Sequence, residues 1–220
     1  MSRPRQSTPQ AAVSSSPASG RLVAGVQGAS AFRRKRSILA TGAVVLLGLA
    51  GVIASLAAAT DLRGLLGAVL ALLMLAIAVV DARRLIIPNQ LTAATLALAF
   101  VHAAIQEPRE IVAAVSGAML RGAVLALLFL ALREVYLRLR GREGLGLGDV
   151  KLAGAGGAWL GWSMMPIAIE MAALGALAYY GVRHVASVEA MHARSRIPFG
   201  LFLAPAIWLG WLLEALLDLA

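Results

Sequence analysis

Gly144-Leu145-Gly146-Leu147-Gly148-Asp149-Val150-Lys151 separates two apolar segments of a chain that is mostly apolar. A second carboxylate closes an earlier apolar segment, in Val80-Asp81-Ala82-Arg83-Arg84-Leu85-Ile86-Ile87-Pro88-Asn89. A carboxylate near hydrocarbon is costly, so its presence calls for a reason. Two of them, each at a helix edge and each beside a helix-breaking sequence, read as a candidate two-aspartate site.

The rest of the composition supports a membrane setting. Of 220 residues, 60% are hydrophobic and 14% are charged, with a mean hydropathy of +0.82. Soluble domains average about a quarter charged. The apolar residues fall in runs long enough for membrane helices. A net charge of +9 would point to nucleic acid in a soluble protein. Here the basic residues flank apolar runs, so the membrane explains them and no nucleic-acid partner is expected. The absence of cysteine excludes disulfides, a thiol nucleophile and thiolate-bound metal. His102, His184 and His192 lack metal-ligand spacing and read as structural or loop residues. No metal or organic cofactor is expected.

The predicted fold is all-α: a polytopic transmembrane bundle of about seven spans, six in a core and one N-terminal to it. Residues 1–36, rich in Ser, Ala, Pro and Gly with scattered Arg, read as a disordered basic tail. Residues 37–60 read as an extra membrane helix behind Arg33-Arg34-Lys35-Arg36, its apolar run too long for a signal-peptide core. Residues 61–220 form the main membrane domain, with helices expected over 64–80, 91–105, 111–136, 151–162 and 166–180. A last helix follows Pro198-Phe199-Gly200 and runs to 217. Pro88 should break helical structure, since it lacks an N–H and disfavours the α conformation before it.

Orientation follows from charge. With the N-terminus inside and alternating spans, inside segments and their flanking helix ends hold 17 of the 20 basic residues. The outside breaks hold Arg63 and Arg109, and Arg121 falls within a helix. The positive-inside rule therefore places Asp81 and Asp149 together on the cytoplasmic side.

Two carboxylates sharing a site keep one proton between them through like-charge repulsion and desolvation, and the pair titrates as a unit. Such a pair can activate a water and polarise a carbonyl. The blander reading is two interfacial aspartates paired with Arg83 or Lys151. Gly144, Gly146 and Gly148 offer backbone freedom and room for an extended chain. A phosphate-cradling loop fits poorly, because no Gly-Lys-Ser/Thr follows.

Gly146-Leu147-Gly148-Asp149 resembles the Gly-x-Gly-Asp signature of intramembrane-type aspartic proteases. The longer stretch through Lys151, with Gly156-Gly157-Ala158-Trp159-Leu160-Gly161, is similar to the prepilin (type IV leader) peptidases, as are Asp81 with Ile87-Pro88-Asn89 and Ile197-Pro198-Phe199-Gly200. The resemblance covers residues 64–217. It implies that Asp81 and Asp149 are a catalytic pair, with Gly146, Gly148, Lys151, Pro88 and Asn89 as motif and supporting residues. It further implies cleavage of a basic leader from a pilin precursor at the cytoplasmic face of the bacterial inner membrane. The short form resembles members serving tight-adherence (Flp-type) pili. Bifunctional members carry cysteine pairs in an N-terminal domain and also methylate; the cysteine-free chain does not carry that part of the resemblance.

Other residues have competing readings. Arg121 and Glu170 lie roughly 10–15 Å into their helices. They read either as a membrane-embedded ion pair or as snorkelling or cavity-facing side chains. Lys151, two residues past Asp149, points away from it on a helix and reads as a support. Glu143 reads as a solvated loop charge. Trp159, Trp162, Trp208 and Trp211 read as an interfacial aromatic belt. The rival function is a proton- or ion-coupled transporter using Asp81, Arg121, Asp149 and Glu170, although its carboxylates should lie near the midplane on broken helices. A non-catalytic pilus assembly protein is the third class.

Overall fold

The computed structural model describes residues 39–141, 144–186 and 198–217. The basic tail and residues 33–36, Arg142, Glu143, His192, Ile197 and the loop before Pro198 lie outside the described residues, as does the side chain of His184. The chain forms two units, Met1–Val45 and Leu46–Ala220. The described residues of the first, 39–45, are helical.

The helices are α1 (Leu39–Ala58), α2 (Leu62–Arg84), α3 (Asn89–Gln106), α4 (Ile111–Arg140), α5 (Leu147–Trp159), α6 (Met164–Ala186) and α7 (Gly200–Leu217). No strand occurs among the described residues. Helices α1, α2, α4, α6 and α7 are long and apolar enough to cross a membrane, and the chain is a multi-pass membrane protein. Seven helices are present among the described residues, as expected, and α3 and α5 fall outside the long apolar set. Helix α3 carries Asn89, Gln90, Thr92, Thr95, His102 and Gln106. Helix α5 has 13 residues, about 20 Å of rise against a hydrocarbon core of about 30 Å.

Local chemistry sets the helix ends. The Asp61 side chain caps α2 by accepting the Arg63 N–H at 3.0 Å. Helix α2 stops at Leu85, a left-handed residue (φ 55°) whose N–H donates to the Asp81 carbonyl at 2.8 Å. Pro88 is the N-cap of α3, so the expected break falls there. Gly141 ends α4 with φ 64°, and Arg138 and Arg140 in the last turn match the negative end of the helix dipole.

Helix α5 is the centre of the bundle. From Leu152 to Trp159 every residue is buried. It starts four residues earlier than the expected 151 because Gly146 caps it, and it stops before 162 because Leu160 is extended (φ −86°, ψ 147°). Its small residues bring backbones together. A Cβ on Gly157 would stand 2.9 Å from the Arg121 carbonyl oxygen and 3.0 Å from Leu125 Cβ of α4. A Cβ on Gly122 of α4 would stand 2.8 Å from the Gly154 oxygen. Gly156 is equally tight against Ile207 of α7, at 2.7 Å. Lipid is as apolar as leucine, so close van der Waals packing is what holds such helices together.

Two tryptophans correct the aromatic-belt expectation. Trp159 and Trp211 are both core residues, each 2% exposed. The Trp159 indole N–H donates to the Thr95 carbonyl at 2.9 Å, and that of Trp211 donates to His102 Nε2 at 3.3 Å. Buried indoles need an acceptor, and α3 supplies both. Trp208 donates to the Ser55 hydroxyl at 3.0 Å. Trp162 remains exposed, as a belt residue would be.

Gly157→Ala should lower thermal stability in detergent by roughly 1–3 kcal/mol through overpacking against α4. Gly181→Ala, where an added Cβ meets nothing within 4 Å, should raise it by roughly 0.5–1 kcal/mol through helix propensity. Equal melting shifts for the two would remove the close-approach explanation.

Candidate active site

Asp81 occupies the last turn of α2, and Asp149 the first turn of α5. Each carboxylate serves the start of a helix. Asp149 Oδ2 accepts the N–H of the N-cap residue Gly146 at 3.1 Å. Asp81 is 5% exposed, and its Oδ2 accepts the Leu201 N–H at 3.0 Å, in the first turn of α7. Free N–H groups and the helix dipole make both positions favourable for an anion. Among the described residues neither aspartate is paired with Arg83 or Lys151.

Ile87 joins these pieces. It is buried after the left-handed turn at Leu85. A Cβ on Gly148 would stand 3.0 Å from Ile87 Cβ. A Cβ on Gly200 would stand 2.8 Å from Ile87 Cδ1 and 2.9 Å from Asp81 Oδ2. Glycine at both positions therefore lets the ends of α2, α5 and α7 meet. This corrects the expectation that the glycines serve backbone freedom: Gly146 has φ −78° and Gly148 is helical, so neither adopts a left-handed conformation. Steric room is what they provide.

The supporting residues also converge. Lys151 Nζ donates to Asn89 Oδ1 at 3.0 Å, tying the start of α5 to the start of α3. Lys151 thus points away from Asp149, as helical spacing requires. The Pro88 carbonyl accepts from the Thr92 hydroxyl at 3.1 Å.

Electrostatics couples the two aspartates. Asp149 lies outside the five long apolar helices. Burial pushes its carboxyl up to about 6, the Gly146 N–H partly opposes this, and the charge of Asp81 adds to it. Removing water disfavours the charged form, and a nearby like charge does the same.

The opposite end of the bundle corrects a further expectation. Arg121 and Glu170 form no ion pair among the described residues, and Glu170 is exposed. Arg121 instead lines a cavity with Glu214 and His102. Helix α5 ends short of that region, so the nearest carboxylate comes from α7. The Ile87-Pro88-Asn89 motif marked its stretch without marking Ile87 as the shared contact. The Pro198-Phe199-Gly200 motif was a signal for the α7 mouth, but not for the Leu201 N–H that meets Asp81.

Comparison with known proteins bears on the family. A sequence model described as the type IV leader peptidase family matches residues 68–181. A prepilin leader peptidase/N-methyltransferase of Aeromonas hydrophila is 34% identical over 139 residues, covering 63% of this chain and 46% of that protein. One of Escherichia coli (strain K12) is 35% identical over 106 residues, covering 48% and 45%. One of Burkholderia pseudomallei is 41% identical over 88 residues, covering 38% and 26%. The chain thus spans less than half the length of these relatives. No solved structure matches. The family match takes in Asp81, the Gly146-to-Asp149 motif and the helices that carry them, and on it the chain belongs to the type IV leader peptidase family.

Proposed function

We propose that the chain is an aspartic endopeptidase that removes the basic leader from a type IV prepilin, with Asp81 and Asp149 as its catalytic pair. The observation that supports this reading is the packing of Gly148 and Gly200 on the same Ile87, which gathers the helix ends that carry Asp149 and hold Asp81 at one end of the bundle, where the charge of Asp81 acts on Asp149. The ionised member of the pair takes a proton from water, whose oxygen adds to the scissile carbonyl. The protonated member polarises that carbonyl. Collapse breaks the C–N bond, and the leaving nitrogen takes a proton from the pair. Lys151 and Asn89 hold the α5 and α3 starts in register around it, and Pro88 sets where α3 begins.

Placement supports the substrate. Counted over seven alternating passes, the positive-inside rule favours a cytoplasmic site at the inner membrane. A site at the membrane edge reaches a leader whose following apolar helix stays in lipid. Flp-type pilins of tight-adherence systems are the substrates proposed.

Co-expression with candidate pilin precursors tests this. Asp81→Asn and Asp149→Asn should each abolish cleavage, read as a lost mobility shift and an unchanged precursor N-terminus, at normal expression. Cleavage by either variant would reject that residue's role. Gly200→Ala should cost about 10²-fold in cleavage by displacing the Asp81 carboxylate, with a much smaller loss of folded protein. Comparable losses in both readouts would make Gly200 merely structural.

The pH profile follows from the raised Asp149 carboxyl. Below about 6 the pair keeps its proton, and as pH rises through that value the proton is lost. Cleavage should therefore fall on the alkaline side with an apparent pKa of about 6, which belongs to the pair and not to one residue. Stability has the same sign. The native Asp149 binds a proton that the unfolded chain releases near 3.8, so its contribution is present at low pH and declines as pH rises towards about 6. A cleavage rate that rises through this window would contradict the assignment.

A further inference from the structure

At the end of the bundle away from the aspartates lies a cavity of about 410 Å³, within the size range of ligand pockets. It exists because α5 stops at Trp159 while the helices around it continue. Its lining is polar and charged for a membrane protein: Arg63, Arg121, Glu214, His102, Gln106 and Ser163. None of these belongs to the site around Asp81 and Asp149.

Arg121 is the informative residue. It sits in the second half of the third turn of α4, and its carbonyl is pressed against Gly157. Its Nε is buried and has no hydrogen-bond partner. A guanidinium N–H withdrawn from water without an acceptor is costly. Among the described residues no hydrogen bond from the walls reaches that Nε. Glu214 Oε1 accepts the Gly161 N–H at 2.7 Å. Arg63 commits its Nε to Asp61 at 2.9 Å, outside the cavity lining. His102 contributes no positive charge, because its Nε2 accepts the Trp211 N–H at 3.3 Å. Arg63 is ion-paired with Asp61, and the Glu214 carboxylate acts on Arg121, so what the cavity leaves unmet is the Arg121 Nε and not a net charge.

We propose that this cavity binds a phosphoryl group, with Arg121 as its principal ligand and Arg63 as the second. A phosphate offers several acceptor oxygens to a planar guanidinium fork, so it satisfies the unpartnered Nε. Glu214 repels the anion from its own side and so orients it towards the arginines. Two sources supply this chemistry at a membrane surface: the headgroup of an anionic phospholipid, and free phosphate.

Purified full-length protein in detergent distinguishes them. Inorganic phosphate is titrated by calorimetry, and phosphatidylglycerol retention is measured by native mass spectrometry with diacylglycerol as the uncharged control. Saturable binding of at least one phosphoryl probe is expected, with diacylglycerol not retained. Arg121→Gln should weaken it by about tenfold or more, as loss of a charged hydrogen bond implies. Arg121→Lys should restore part of it. Binding of the lipid alone identifies a headgroup site; binding of both probes, or of phosphate alone, identifies a site open to free phosphate. Should Arg121→Gln not fold, Arg63→Gln, at a partly exposed side chain, carries the same test with a several-fold loss expected. Absence of saturable binding to either probe, or unchanged affinity in the folded variants, would overturn the proposal.

Discussion

Helix α5 has almost no room for side chains on the faces it turns to α4 and α7, and this constraint organises the membrane domain. Gly154 and Gly157 meet the α4 backbone, and Gly156 meets Ile207 of α7. In water such a helix would gain little from burial, since glycine and alanine offer little apolar area. Within a bilayer, the gain comes from backbones packing closer than lipid could. A central helix held this tightly fixes its own first turn, and Asp149 is in that turn. The same shortness leaves the polar space at its other end.

The two aspartates combine stabilising and opposing forces. Each accepts an N–H at a helix start. Each also loses water, and the charge on Asp81 acts on Asp149. Helix ends thus give both carboxylates defined positions, while burial and the charge of Asp81 oppose ionisation of Asp149. Ile87 is the apolar side chain on which Gly148 and Gly200 both pack, and it reaches that position through the left-handed turn at Leu85. A leucine there carries a backbone cost of about 1–3 kcal/mol, offset by burying Ile87 at the junction of three helices.

Much of the arrangement was legible in the chain itself. Apolar runs marked the long helices, Pro88 marked the start of α3, and the two aspartates stood out because charge is rare beside such runs. The misreadings share a cause: each depended on depth and rotation that a one-dimensional pattern does not contain. Tryptophan spacing cannot separate a belt from a core, and Trp159 and Trp211 turned inward because α3 offers acceptors there. Counting residues along helices put Arg121 and Glu170 at similar depths, yet Glu170 faces outward. The glycines before Asp149 looked like flexibility and proved to be clearance.

By itself the sequence determined that this is an all-helical membrane protein, where its helices break, and which residues could form an acid pair. Those features follow from local energetics: the cost of exposed peptide groups in lipid, the geometry of proline, and the rarity of charge in hydrocarbon. Only the tertiary structure decided that the Leu201 N–H meets Asp81, that Lys151 reaches Asn89 across 62 positions, and that Arg121 faces a cavity. These contacts join helices distant in the chain. Their existence depends on how closely backbones pack, a property of the assembled bundle rather than of any one segment.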